Sequence, residues 1–167
     1  MRRLSLSLLA VVALAPTAHA TTIKSGTITP GRGLNGATLG MTRAEVIDQL
    51  GKPSYTNANG LLEYSSPSAD IFDLFLGHRS DKLNLLQLAM HGSKFKLADG
   101  NAVYAKGGLK RLFRHYHKRL HKNPYYQGER SYSLYGKFHG RKVVTVFSVT
   151  KYAAATGRVY QVVIAYR

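Results

Sequence analysis

The residues best equipped for chemistry crowd positions 109–122, where Lys110, Arg111, Arg114, His115, His117, Lys118, Arg119, His121 and Lys122 share one segment. Leu109, Leu112, Phe113, Tyr116 and Leu120 recur among them at helical spacing, so the segment reads as a helix over 109–121 with one apolar stripe. Arg111, Arg114, Lys118 and Lys122 fall opposite that stripe. Such a face either keeps a helix in solvent or binds anions. Solvated faces usually mix signs to gain i, i+4 pairs, and almost no Glu stands here, which favours anion binding. Tyr135 and Lys137, on a strand expected over 131–138, complete the candidate set for an anion or a partner.

The histidines of this segment suggest a metal only weakly. At about 100° per residue, His115 and His117 point about 200° apart and cannot share an ion. His117 and His121 are i, i+4 and could, but only the scattered His91 or His139 could add a ligand. A solvated basic face is the expectation, with no metal and no cofactor. Nothing in the chain matches a G-x-S-x-G elbow, an H-E-x-x-H pair or a P-loop. Asp70 and Asp73 lie on or beside a strand and are expected to face solvent; no carboxylate pair stands out as an acid/base couple. The expectation is a protein that is not an enzyme.

Charge sharpens the question of partners. The chain has 24 Lys+Arg against 8 Asp+Glu, a net charge of +16. Nearly all of the excess lies in residues 101–167, where Glu129 is the one acid. An asymmetry of this kind bears on what a protein meets, not on how it folds. There is no Cys, which excludes a disulfide framework and thiolate metal sites.

The beginning of the chain says where the protein works. Arg2 and Arg3 precede an apolar run over 4–14, and Ala18-His19-Ala20 offers small residues where a signal peptidase reads them. Residues 1–20 therefore read as a signal peptide, cleaved near Ala20, and the mature protein as periplasmic or secreted. The apolar run is shorter than the roughly 20 residues a membrane span needs, so no transmembrane segment is expected. Export makes nucleic acid an unlikely partner; acidic proteins, lipid head groups and envelope polymers remain.

The elements that must position these residues follow in order. Residues 21–39, rich in Thr and Gly, read as a flexible, extended leader. Its formal G-x-G-x-x-G, Gly31 to Gly36, follows Pro30 and not a buried strand, so it reads as loop. Thr42 and Glu45 form a T-x-x-E capping box, Val46, Ile47 and Leu50 form a stripe, and Gly51 and Pro53 end the helix. Strands are expected over 61–66, 71–76 and 83–90. After the second helix, stopped by Asn123-Pro124, three more are expected over 131–138, 142–152 and 158–166. The reading is α+β: two tandem units, 40–100 and a strongly basic 101–167, each a helix plus a three-stranded antiparallel sheet. The last sheet is apolar on both faces, so one face is free to meet the first unit, a second chain or a partner.

The run Gly40-Met41-Thr42-Arg43-Ala44-Glu45-Val46-Ile47-Asp48-Gln49-Leu50-Gly51-Lys52-Pro53, with Gly60 and Tyr64 after it, resembles the SmpA/OmlA (BamE-like) family of outer-membrane assembly components. The tandem arrangement is similar to the beta-lactamase inhibitory protein fold. The resemblance implies an exported, non-enzymatic module that works by protein–protein contact in the cell envelope, through its sheet face. The alternative is a peripheral protein held to anionic lipid or polymer by its basic second half.

Overall fold

Strict alternation of apolar and polar side chains decides most of the chain. The computed structural model describes residues 20–21, 23, 25–65, 71–77, 80–90, 94–124, 129–150 and 157–167. The expected signal peptide lies outside them save for Ala20, as do Asp70, His91 and the end of the strand expected over 142–152. The strands are β1 Ser25–Thr29, β2 Gly33–Leu34 and β3 Ala37–Thr38, then, after helix α1 Arg43–Leu50, β4 Tyr55–Thr56, β5 Leu61–Ser65, β6 Ile71–Leu76, β7 Leu83–Ala89 and β8 Lys94–Leu97. Helix α2 Gly108–Tyr116 and a 3₁₀ turn His117–Arg119 lead to β9 Leu120–Lys122, β10 Glu129–Phe138, β11 Arg141–Thr150 and β12 Gln161–Tyr166.

The expected α+β fold of two helix-plus-three-stranded units is overturned. The described chain is mostly β: twelve strands in two sheets and only two short helices. One sheet has eight strands in the order β4-β5-β6-β7-β12-β11-β10-β9, every pair antiparallel. The pairing of β7 with β12, from Leu85↔Ala165 to Ala89↔Gln161, runs the strands of both halves into one sheet. The other sheet has the order β3-β2-β1-β8, with β1 parallel to β8.

Two local causes produce the difference. First, β1, β2 and β3 form within the stretch read as a leader. Asn35 and Gly36 both have positive φ and join β2 to β3 as a two-residue hairpin turn, the conformation that Asn-Gly favours. The G-x-G-x-x-G is thus turn chemistry: Gly31 sits in the preceding hairpin, and a Cβ at Gly33 would collide with the carbonyl of Ala37. Second, α2 stops at Tyr116. Leu120, which fits the helical stripe, instead pairs with Leu134 across the β9–β10 edge.

Helix α1 forms as its capping box dictates. Thr42 Oγ1 accepts from the Glu45 N–H, and the Thr42 N–H donates to Glu45 Oε2 at 2.7 Å. Val46 and Leu50 are buried, and the Gly51 N–H closes the helix on Ile47 O.

The large sheet has a covered face and an open one. On the covered face Phe72, Leu74, Leu86, Leu88, Phe147, Val162 and Ile164 are buried. Ile28 and Leu34 of the small sheet pack over them. Tyr64 reaches α1, its hydroxyl donating to Gly51 O at 2.9 Å, and burial pushes its pKa up to about 12. The Gly31 N–H donates to the fully buried Thr145 Oγ1 at 2.7 Å, pinning the small sheet to β11. Leu112 of α2 is buried, and Phe113 meets Tyr132 edge-on at 5.0 Å. Among the described residues no helix is long and apolar enough to cross a membrane.

Candidate functional site

The open face is built by register. One row of directly opposed residues crosses all eight strands: Tyr55, Glu63, Asp73, Gln87, Val163, Val146, Ser133 and His121. The next row is Leu61, Phe75, Leu85, Ala165, Val144 and Tyr135. Strand alternation puts these side chains on the side away from Phe72, Leu86 and Phe147. Phe75, Leu85, Val144, Val146, Val163 and Ala165 form a continuous apolar centre and are only partly buried. Tyr55 and Tyr135, 53% and 42% exposed, mark the two flanks.

Charge divides this face by sign. On the flank of the first strands, Glu63 opposes Asp73. Asp73 was expected to face solvent; instead its Oδ1 is shut off from solvent without a hydrogen-bond partner, and burial, then the Glu63 charge, push its pKa up. At the far corner, Lys137 opposes Lys142, and Arg167 adjoins them through its N–H bond to Lys142 O. These three cations and Tyr135 line a shallow pocket of about 410 Å³, with the Arg167 guanidinium 5.2 Å from the Tyr135 ring. His121 lies beside Tyr135, ring centroids 5.3 Å apart, and Asn123 Nδ2 donates to the hydroxyls of Ser131 and Ser133.

The six residues singled out from the sequence fall in four places. Tyr135 and Lys137 stand on the open face. Arg111 and Arg114 line a separate pocket of about 170 Å³ with Asn101 and His115, beside α2. Lys118 is exposed on the 3₁₀ turn, and Lys122 is exposed on β9 in register with Tyr132 of the covered face. The single basic helical face therefore does not exist. His117 and His121 likewise leave the i, i+4 relation, one on the turn and one on a strand. Among the described residues no group of three or more His, Cys, Asp or Glu could hold a metal ion.

The Arg111 pocket is held from behind. Arg111 Nη2 donates to the carbonyls of Ala102 at 3.1 Å and Lys106 at 3.2 Å, while its Nε is shut off from solvent and has no acceptor. His115 Nδ1 lies 3.0 Å from Asp99 Oδ2. Burial pushes the Asp99 carboxyl up, but the backbone and side-chain N–H groups of Asn101 and the nearby His115 outweigh it, and the net direction is down.

Lys142 and Arg167 were missed in the sequence, as were Asn101 and Asp99. A signal for Lys142 exists: His139 and Gly140 form a two-residue turn with positive φ, which sets Lys137 against Lys142. No family model, curated protein or solved structure matches the chain.

Proposed function

We propose that this chain is an exported, non-enzymatic binding protein that docks another folded protein across the open face of its eight-stranded sheet. The observation that carries the reading is the order of side chains on that face: an apolar centre, two carboxylates on one flank and three cations at the opposite corner. The six longer strands, β5, β6, β7, β12, β11 and β10, about 4.8 Å apart, make a face about 24 Å wide, and about six residues of strand make it about 20 Å tall. That is on the order of 500 Å², in the range of the smaller interfaces a partner can bury. A folded partner can meet opposite signs at opposite ends and fill the apolar middle; an anionic membrane would be repelled by Glu63 and Asp73. The resemblance of residues 40–66 to the SmpA/OmlA family accords with a working place in the envelope.

The second reading is peripheral attachment to anionic lipid or polymer, and the charge of residues 101–167 favours it. Pull-down from an envelope extract separates the two. The tagged protein is compared with Val146→Arg and with Arg111→Ser/Arg114→Ser, after far-UV circular dichroism has shown that both variants are folded. The expected result is one protein recovered at low and high salt, lost with Val146→Arg and kept with the arginine variant. Recovery indifferent to Val146→Arg, or abolished by salt alone, overturns the docking role of the face.

A further inference from the structure

We propose that the pocket formed by Arg111, Arg114, His115 and Asn101 is a binding site for a phosphate-type oxyanion, independent of the open sheet face. Arg111 and Arg114 are i, i+3 on α2, a spacing at which like charges repel. The carboxylate beside them, Asp99, is taken up by Asn101 and His115, so no described acid answers the two guanidinium groups. Arg111 is fixed in place by its bonds to Ala102 O and Lys106 O, which leaves its Nε short of an acceptor. The pocket, about 170 Å³, has room for one tetrahedral oxyanion. Guanidinium groups match such an anion better than ammonium groups because their planar N–H forks meet two oxygens at once. Asp99, tied to His115 Nδ1, leaves the far side of that ring available to the ligand.

The oxyanion could be free phosphate or a phospholipid head group, and the experiment tells them apart. Inorganic phosphate is titrated into the protein in phosphate-free buffer, with Arg Nε–H and His115 ring resonances followed by NMR. Vesicles of phosphatidylglycerol, with phosphatidylcholine as control, are tested by co-sedimentation. Arg111→Gln could loosen the 102–106 loop, so Arg114→Gln is the deciding variant; Lys137→Ser/Lys142→Ser alters the other basic corner by two charges. Expected is saturable binding that Arg114→Gln weakens about tenfold, as the loss of a charge-assisted contact predicts, while the lysine variant binds as the parent does. If phosphate itself produces this pattern, the site takes the free ion. If only anionic vesicles do, it takes the head group. Equal weakening by both variants would show general charge attraction and overturn the proposal, as would the absence of saturable binding to either probe.

Discussion

Glu63 and Asp73 stand directly opposite each other on β5 and β6, two carboxylates in one cross-strand pair on the open face. Like charges in this position destabilise a sheet. Burial and the Glu63 charge raise the Asp73 pKa, so the folded state holds that proton more tightly than the unfolded chain does. The stability contribution is therefore present at low pH and is lost as pH rises through the folded pKa. Asp73→Asn should raise the melting temperature at pH 7, by about 0.5 kcal/mol in stability, less at high salt. The gain should vanish as pH falls into the carboxylate range, where Asp73 itself becomes neutral. A lower melting temperature at pH 7 would mean that the carboxylate has a stabilising partner.

The cap of α1 is a second place where a small change is readable. Thr42→Ala removes the Oγ1 that accepts from the Glu45 N–H and should cost about 1 kcal/mol in chemical denaturation. Hydrogen bonds from the Thr42 backbone and side chain lower the Glu45 pKa. The contribution of that carboxylate is thus present above the ordinary Glu range and is lost as pH falls through its folded pKa. The gap between Thr42→Ala and its parent should narrow in acid, where the Thr42 hydroxyl bond to the Glu45 carboxylate weakens, and should not close, because the Glu45 N–H keeps its acceptor only in the parent.

Thr145 tests how the two sheets are joined. Thr145→Val keeps the volume and removes the acceptor of the Gly31 N–H in a part-buried contact. The cost should be about 1–3 kcal/mol, that of a donor left unsatisfied. Amide exchange should quicken at Gly31 and along β1–β2 before it does in β5 or β6. Uniform quickening across the protein would show that this bond does not secure the small sheet.

Ile164 reports on the centre of the large sheet. It is 2% exposed and pairs with both Leu86 of β7 and Thr145 of β11. Ile164→Ala should cost about 2–5 kcal/mol. Exchange protection in β7 and β11 should fall together, since both depend on β12. Loss confined to one of them would contradict a single cooperative sheet.

Much of the local structure was legible. The Thr42–Glu45 box gives α1, and alternation gives the runs that become β5, β6, β7, β10 and β11. What was not legible is long-range. The partner of β1 is β8, far along the chain, and strands as short as β2 and β3 carry no period to read. Leu120 continues the helical stripe in sequence, yet the edge of β10 draws it into a strand. The cluster of basic residues was legible, but not its division between an α2 pocket and a sheet corner. Which face a strand residue takes depends on register, and a shift of one position reverses it.

The β7–β12 contact also orders events in time. β12 follows every other described element, yet belongs at the middle of the sheet. Until it arrives, β7 and β11 are both unpaired along one side, and each carries apolar residues on both faces. Closing β7 on β12 also spans a long loop, which slows the step. A newly made chain thus spends its most vulnerable interval with two adhesive borders exposed. Escape from aggregation rests on how quickly the last strand fills the gap between them.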